Sequence, residues 1–280
     1  ILERSGIGDS THLQELGISP VMHLPGVGAN LQDHLNVRTT YECTRRITVN
    51  DALNSWPYAV RMALQYMFTR RGLMATPAIA IHALVKSEPD LDTPDFKLQL
   101  AHVSSENRAE TSHSSAQGLG VDRFPGFALQ AFQLHPQSRG SVHIRSKDPT
   151  DMPVIHANYL SADEDGKAVV TGLKLLRELA NKPDFRKLIV REVRPGPETI
   201  IDDDLLEYAK ECGQTCWHSV SSCKMGTDEL AVVDAQLKVH GIRGIRVADA
   251  SVMPLLVSSN TNAPAIMIGE RCAEFLKNDY

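Results

Sequence analysis

The sequence predicts a protein of mixed class, in which an α/β layer is combined with an α+β region built on an antiparallel sheet. Apolar and polar residues alternate over 96–100, 127–134 and 140–145, the period of strands that bury one face. Near the C-terminus, the run 245–249 has the composition of a short strand, and the helical pattern over 263–276 follows it. A short strand followed by a helix is typical of an α/β layer.

Helical patterns fill much of the remaining chain. A helix is predicted over 9–18, because Asp9 can cap its N-terminus and apolar residues follow at helical spacing. A longer helix is predicted over 51–70, interrupted by Pro57 and ended by Gly72. The final helix has a proline in its first turn, where the missing N–H does no harm. Two further helices are predicted over 163–182 and 202–211.

One long segment lies between the first two predicted strands. Residues 104–126 are rich in Ser, His, Gly and charge, and the segment is too long for a turn. A surface loop or lid over a pocket would explain this composition. A disordered excursion without function would explain it equally well, so both interpretations stay open.

Composition excludes some classes of function. The 280 residues are 42% hydrophobic and 22% charged, which is enough to bury a sizeable core. A net charge of −5 offers no electrostatic surface for nucleic acid. No apolar stretch approaches the roughly 18 residues that a membrane span needs. We therefore predict neither nucleic-acid binding nor a transmembrane segment.

The five cysteines form no even disulfide framework, which favours reduced thiols and a cytoplasmic compartment. Three of them, Cys212, Cys216 and Cys223, lie near His218 in the sequence. Zinc ligands usually come in close C-x2-C pairs, and these spacings do not match that pattern. We therefore predict no metal site.

A complete dinucleotide-binding fingerprint is absent from the sequence. Such a site needs G-x-G-x-x-G between a strand and a helix, so that backbone N–H groups can approach the pyrophosphate. The nearest candidate, Gly26-Val27-Gly28-Ala29-Asn30-Leu31, lacks the third glycine. These 280 residues alone therefore lack the main cradle for an adenine nucleotide.

Three motifs follow one another in the last quarter of the chain. They are Trp-His at 217–218, Ala-Asp-Ala-Ser at 248–251 and Asn-Thr-Asn-Ala-Pro at 260–264. In this order they resemble the C-terminal half of the glucose-methanol-choline (GMC) family of flavin oxidoreductases, which includes choline dehydrogenase. Residues 2–9 and 25–34 resemble the family's second signature and the segment that follows it. We therefore expect the chain to be the C-terminal half of a longer protein.

The resemblance implies an FAD-dependent alcohol dehydrogenase or oxidase that transfers a hydride from a primary alcohol to flavin N5. Oxidation also needs a base for the hydroxyl proton, and a neutral imidazole suits this role near neutral pH. By motif position, the resemblance implies that His218 is this base and that Asn262 holds the substrate oxygen. It further implies cofactor contacts from six residues: Trp217, Asp249, Ala250, Asn262, Ala263 and Pro264. Simpler roles remain open, because Asn260, Asn262 and Asp249 could each cap a helix.

The same resemblance implies an arrangement of domains. Residues 1–37 and 240–280 would be segments of an FAD-binding, Rossmann-like domain whose N-terminal dinucleotide-binding half is missing. Residues 38–239 would be an inserted substrate-binding domain, built on the antiparallel sheet, with Trp217 and His218 at the flavin interface. The protein would need the missing half to hold FAD.

Three functional hypotheses remain at this point. The first is an alcohol dehydrogenase or oxidase of the choline dehydrogenase type, with oxygen or a quinone as electron acceptor. The second is a flavin-bearing lyase of the same fold, similar to hydroxynitrile lyase. The third is a truncated and inactive fragment. The sequence does not identify the alcohol.

Overall fold

The computed structural model describes residues 1–105 and 120–279. The helices are α1 Ser10–Glu15, α2 Val49–Leu53, α3 Trp56–Thr69, α4 Asp163–Ala180, α5 Pro183–Arg186, α6 Asp202–Cys212 and α7 Asn262–Asp279. The strands are β1 Ile7–Gly8, β2 Met22–His23, β3 Leu35–Cys43, β4 Ile79–Val85, β5 Phe96–Ala101, β6 Gly126–Gln133, β7 Ser141–His143, β8 Val154–His156, β9 Ile189–Arg194 and β10 Gln214–Thr215. Short 3-10 helices span Glu3–Ser5, Leu73–Ala75 and Ala250–Val252.

The chain divides into two compact units. The first unit contains Ile1–His34, Leu134–Asp165 and Thr215–Tyr280, and the second contains Leu35–Gln133 and Gly166–Gln214. These boundaries differ from the predicted 1–37, 38–239 and 240–280, because residues 134–165 and 215–239 belong to the unit that holds both chain ends. The assignment of FAD binding and substrate binding to these segments stays a prediction.

The second unit is built on an antiparallel sheet. Strands β4, β5, β6 and β3 lie side by side in that order, and β9 and β10 also pair with β3. Leu98 on β5 lies opposite Ala131 on β6, which fixes one buried face of the sheet. Helix α4 contacts the sheet at Gly172, where a Cβ atom would come within 3.0 Å of the Phe96 ring. The predicted strands at 96–100 and 127–134 are confirmed.

The first unit has only short ladders and a well-defined apolar core. Strand β1 pairs with β2 in parallel, and β7 pairs with β8 in antiparallel. The core draws on the first and last segments of the unit: Ile7, Val27, Val220, Val232, Val233, Leu237, Val239, Val252, Met253, Leu256, Ile268 and Cys272.

Two predicted strands need correction. Residues 140–145 were expected to be a strand beside those at 96–100 and 127–134, but only Ser141–His143 is a strand, and it pairs with β8. At its start, Gly140 lies so close to β8 that a Cβ atom would be 2.2 Å from the His156 carbonyl oxygen. Residues 245–249 form no strand, because within the described residues Arg246 makes a single isolated bridge, to Lys238.

The helix predictions are confirmed with one change. Asp9 caps α1 by accepting a hydrogen bond from the His12 N–H at 2.9 Å. The helix predicted over 51–70 is two helices, α2 and α3, with Asn54 and Ser55 between them. Pro57 therefore lies in the first turn of α3, where its ring and missing N–H are tolerated.

The candidate lid at 104–126 lies largely outside the described residues. Ser105 and Val121 form an antiparallel bridge at its two ends, and residues 106–119 are not described. Among the described helices, none combines the length and the apolar character needed to cross a bilayer.

Candidate active site

Two histidines that are far apart in the sequence meet inside the first unit. His34 is fully buried, and His218 is 7% exposed. Their Nδ1 atoms lie 2.9 Å apart, and the two rings meet edge to face with centroids 5.1 Å apart. His218 was predicted from its motif, whereas His34 was not predicted as a site residue.

The hydrogen bonds around this pair assign a proton to each ring. His34 Nε2 lies 3.1 Å from the Leu134 carbonyl oxygen, which can only accept, so Nε2 carries a hydrogen. In a neutral His34 ring, Nδ1 is then the acceptor. A neutral His218 must therefore donate from Nδ1, which leaves the lone pair on its Nε2. This assignment follows from the hydrogen-bond network.

An amide contacts the remaining ring nitrogen. Asn260 Nδ2 lies 2.9 Å from His218 Nε2 and donates to the lone pair there. The sequence had placed Asn262 in this partnership. No hydrogen bond joins Asn262 to His218 in the part of the chain that the structure describes, and Asn262 is the exposed first residue of α7. The role of Asn262 stays a prediction.

One carboxylate holds the two histidine segments together. Asp33 Oδ1 accepts hydrogen bonds from the backbone N–H groups of His34 and His218, each at 2.9 Å. Its Oδ2 accepts from the Tyr159 hydroxyl at 2.5 Å and from the Thr215 hydroxyl. Burial, followed by the hydrogen bond to Asp33, raises the pKa of the Tyr159 hydroxyl, which keeps it a donor. Asp33 thus fixes the backbone on both sides of the histidine pair.

Trp217 occupies an unusual position beside the histidine. Its φ angle is +61°, a region that bulky residues seldom adopt, and its indole is 71% exposed. The Trp217 N–H donates to the Thr215 hydroxyl at 2.9 Å, which helps to hold this conformation. A strained backbone that presents a large aromatic ring to solvent is a feature found at ligand sites.

A cavity of about 490 Å³ lies in the same unit, and Asp249 is part of its wall. Asp249 Oδ1 accepts from the Ser251 N–H at 2.8 Å and caps the short helix at 250–252, so the capping role is present. Gly28, at φ +80°, also lines the cavity, and a Cβ there would be 2.2 Å from the Val142 carbonyl oxygen. The cavity volume is in the range of small-molecule sites.

A second charged group lines this cavity. Glu3 Oε1 lies 2.6 Å from His143 Nδ1, and Glu3 Oε2 accepts from the Ile144 N–H at 2.8 Å. Burial raises the pKa of Glu3, but the hydrogen bonds from His143 and Ile144 outweigh it and lower the pKa overall. The hydrogen bond to Glu3 raises the pKa of His143. The two groups thus favour each other's charged forms.

His12 lies beside this pair. Among the described residues, Glu3, His12 and His143 form the one group whose possible metal-ligand atoms lie within 4.8 Å of one another. However, both carboxylate oxygens already accept hydrogen bonds, and His12 Nε2 donates to the Ile144 carbonyl at 3.0 Å. These candidate ligand atoms are therefore already hydrogen-bonded within the protein, and the group carries no argument for a metal.

Residues 136–269 match the family model for the GMC oxidoreductase C-terminal domain, described as "GMC oxidoreductase". The chain is 35% identical to the oxygen-dependent choline dehydrogenase of Pseudomonas syringae pv. tomato, over 99% of this chain and 47% of that protein. It is 36% identical to the alcohol dehydrogenase [acceptor] of Pseudomonas putida, over 99% of this chain and 48% of that protein. The chain spans about half the length of the curated relatives it matches.

Solved structures show the same fold. A formate oxidase from Aspergillus oryzae superimposes with a TM-score of 0.86 at 23% identity, over 100% of this chain and 52% of that chain. A pyridoxine 4-oxidase from Mesorbium loti gives a TM-score of 0.77 at 23% identity, over 98% of this chain and 48% of that chain. At this identity the likeness concerns the fold alone.

Proposed function

We propose that the chain is the C-terminal part of a GMC oxidoreductase and that it supplies the base for an FAD-dependent alcohol dehydrogenase or oxidase. The observation that carries the proposal is the chain of hydrogen bonds from Leu134 through His34 to His218. It leaves the lone pair of His218 on Nε2. The named activities of the relatives support a primary alcohol, of the choline type, as the substrate class.

In the proposed reaction, His218 Nε2 accepts the proton of the alcohol hydroxyl. The ring then becomes an imidazolium, and its Nδ1–H already donates to the lone pair of His34 Nδ1 at 2.9 Å. That contact stabilises the positive charge as it develops, in the way that an oriented hydrogen-bond partner assists other catalytic histidines. In this structure Asn260 Nδ2 donates a hydrogen bond to His218 Nε2. When an alcohol is bound, the same amide is placed to donate to the alcohol oxygen.

FAD, when bound, would accept the hydride from the alcohol carbon. Six residues are proposed to hold it, and all of them lie in the first unit: Trp217, Asp249, Ala250, Asn262, Ala263 and Pro264. Two observations are compatible with such a ligand, the exposed indole of Trp217 and the cavity beside Asp249. We further propose that the segments 1–37 and 240–280 are parts of a Rossmann-like FAD domain completed by sequence outside these 280 residues.

The experiment uses the complete gene product, purified with its flavin, under anaerobic conditions. Addition of choline or another primary alcohol should bleach the flavin absorbance. The variant His218→Ala should keep its flavin and lose roughly two to four powers of ten in the rate of bleaching, since one general base contributes about that much. Equal rates in the variant and the parent would reject His218 as the base.

The same experiment separates the other hypotheses. A yellow protein that no alcohol bleaches would favour a flavin-bearing lyase of the same fold. A protein without flavin would favour an inactive product. Residues 1–280 expressed alone should not retain FAD after gel filtration, because no G-x-G-x-x-G turn is present in them to hold the pyrophosphate.

A further inference from the structure

Helix α3 of the second unit presents an apolar face to solvent. Five large side chains along it are between 46% and 79% exposed: Trp56, Val60, Leu64, Met67 and Phe68. At about 100° per residue, these positions fall within an arc of about 120° on the helix surface. We call these five residues the α3 stripe.

The α3 stripe lies opposite the side on which the helix packs. Met62 is the buried residue of α3, and it is about 180° from the centre of the stripe at the same helical spacing. Tyr58 and Tyr66 flank Met62 and are half-buried. The apolar stripe is therefore not the core-facing side of an ordinary amphipathic helix. A contiguous apolar surface of this kind usually marks an interaction site.

Basic residues surround the stripe. Residues 45–71 contain five arginines and one aspartate, whereas the whole chain has a net charge of −5. The arginines are all exposed, and none of them forms an ion pair within residues 1–105 and 120–279: Arg45, Arg46, Arg61, Arg70 and Arg71. The single aspartate, Asp51, is buried and accepts from Thr48.

The arginines flank both ends of the helix. Tyr58 donates a hydrogen bond to the Arg46 carbonyl at 3.2 Å, so the loop carrying Arg45 and Arg46 lies against the first turns of α3. Arg70 caps the other end, with its guanidinium 5.2 Å from the centroid of the Tyr66 ring. Arg71 follows it. Positive charge is therefore present at both ends of the apolar face.

We propose that the α3 stripe docks on an anionic lipid bilayer, with α3 parallel to the surface. An apolar face flanked by arginines, with a tryptophan at its end, is the pattern of helices that lie in the headgroup region. A second copy of the chain fits this surface less well. In a twofold dimer the same patch meets itself, which would bring the two sets of arginines together.

The proposal is tested by flotation of the complete gene product with vesicles. One set contains phosphatidylcholine alone, and the other contains about one quarter phosphatidylglycerol. The protein should float with the anionic vesicles, and added salt should weaken the binding. Arg61→Gln and Arg71→Gln should each weaken binding about fivefold, the usual effect of one basic residue near an anionic surface.

The apolar part of the surface is tested by Met67→Gln and Phe68→Gln, which should abolish flotation while the alcohol oxidation assay in solution is unchanged. Ile155→Gln is the matched control, because Ile155 is 60% exposed on β8 of the other unit. Brominated acyl chains should quench the tryptophan fluorescence of the parent protein, and the variant Trp56→Phe should lose most of this quenching.

Three results would overturn the proposal. The first is absence of vesicle binding, which is expected if a segment outside these residues covers the stripe. The second is equal binding to both kinds of vesicle, or binding that the α3 variants leave unchanged. The third is concentration-dependent self-association without lipid that Met67→Gln and Phe68→Gln abolish, which would identify α3 as an interface between copies.

Discussion

His34 offers the sharpest test of how the candidate site works. In the variant His34→Leu, a side chain of similar size replaces the ring, but it can neither accept from His218 Nδ1–H nor donate to the Leu134 carbonyl. We expect flavin reduction by an alcohol to slow. The KM for the alcohol should stay unchanged, because His34 is fully buried and reaches the substrate only through His218.

The magnitude follows from the hydrogen bond that is lost. A buried donor left without a partner costs about 1–3 kcal/mol. If the whole loss falls on the transition state, in which His218 becomes charged, the rate decreases roughly fivefold to 150-fold. His34→Asn is the matched control. Its Oδ1 can take the place of Nδ1 as an acceptor, so its loss should be smaller than that of His34→Leu.

The assay is anaerobic stopped-flow measurement of flavin bleaching, with the melting temperature of each variant as a check on folding. The ¹⁵N chemical shifts of His218 provide a second readout, since they report which ring nitrogen carries the proton. In the parent protein, Nδ1 should be protonated and Nε2 should not. Equal losses for Leu and Asn, or a parent His218 protonated on Nε2, would refute the assignment.

Three further predictions concern stability. Asp33→Asn should lower the free energy of unfolding by about 3 kcal/mol, because a carboxylate that accepts four hydrogen bonds is replaced by a weaker acceptor. Calorimetry of the variant and the parent would measure the difference in unfolding free energy. The lowered pKa of Glu3 gives stability that is lost as pH falls, and the raised pKa of His143 gives stability that is lost as pH rises. His143→Gln should therefore destabilise most between pH 4.5 and 6.5, as followed by urea unfolding, and a pH-independent effect would exclude the ion pair. Gly28→Ala should be more destabilising than Gly17→Ala by at least about 1 kcal/mol in the same assay, since both have positive φ but only Gly28 has a carbonyl 2.2 Å from the added Cβ.

Local patterns in the sequence predicted strands β5 and β6 and helices α4 and α6 of the second unit, whereas strands β3, β4 and β9 of the same sheet were not predicted. The strands β5 and β6 alternate or nearly alternate apolar and polar residues, and that period is visible in the sequence. The structure buries residues on both faces of each strand, including Lys97 on β5 and Ala128 on β6. Helices α4 and α6 were predicted within two residues of their observed ends for a similar reason. The error at 51–70 came from treating Pro57 as an interruption, whereas it starts a new helix.

Patterns of this kind could not predict how strands pair over long distances. The run 245–249 has strand-like composition, but strands form only where a neighbour supplies hydrogen bonds, and Arg246 pairs with Lys238 alone within the described residues. Strand β7 has the expected alternation, yet its partner is β8, which the sequence did not single out. Composition indicates that a segment can be a strand, and the partner decides whether and where it is one.

The candidate site shows the same limit more sharply. Motif position predicted His218, but His34 lies 184 residues away in the sequence and no spacing rule connects them. The signal that could have found it was the adjacent Asp33, because a carboxylate needs several hydrogen-bond donors once it is buried. Asp33 obtains them from His34, His218, Thr215 and Tyr159, and so joins three distant segments at one point.

The two asparagines near the C-terminus show why position in a motif does not fix a role. Asn260 precedes helix α7, and its amide lies on His218 Nε2, whereas Asn262 is the first residue of the helix and is exposed. An amide that is hydrogen-bonded to the base can also donate a hydrogen bond to the alcohol hydroxyl that the base deprotonates. An amide in the first turn of a helix is beside free backbone N–H groups, where a negatively charged or electron-rich ligand is favoured. We therefore propose a division of labour, in which Asn260 contacts the alcohol and Asn262 contacts the cofactor.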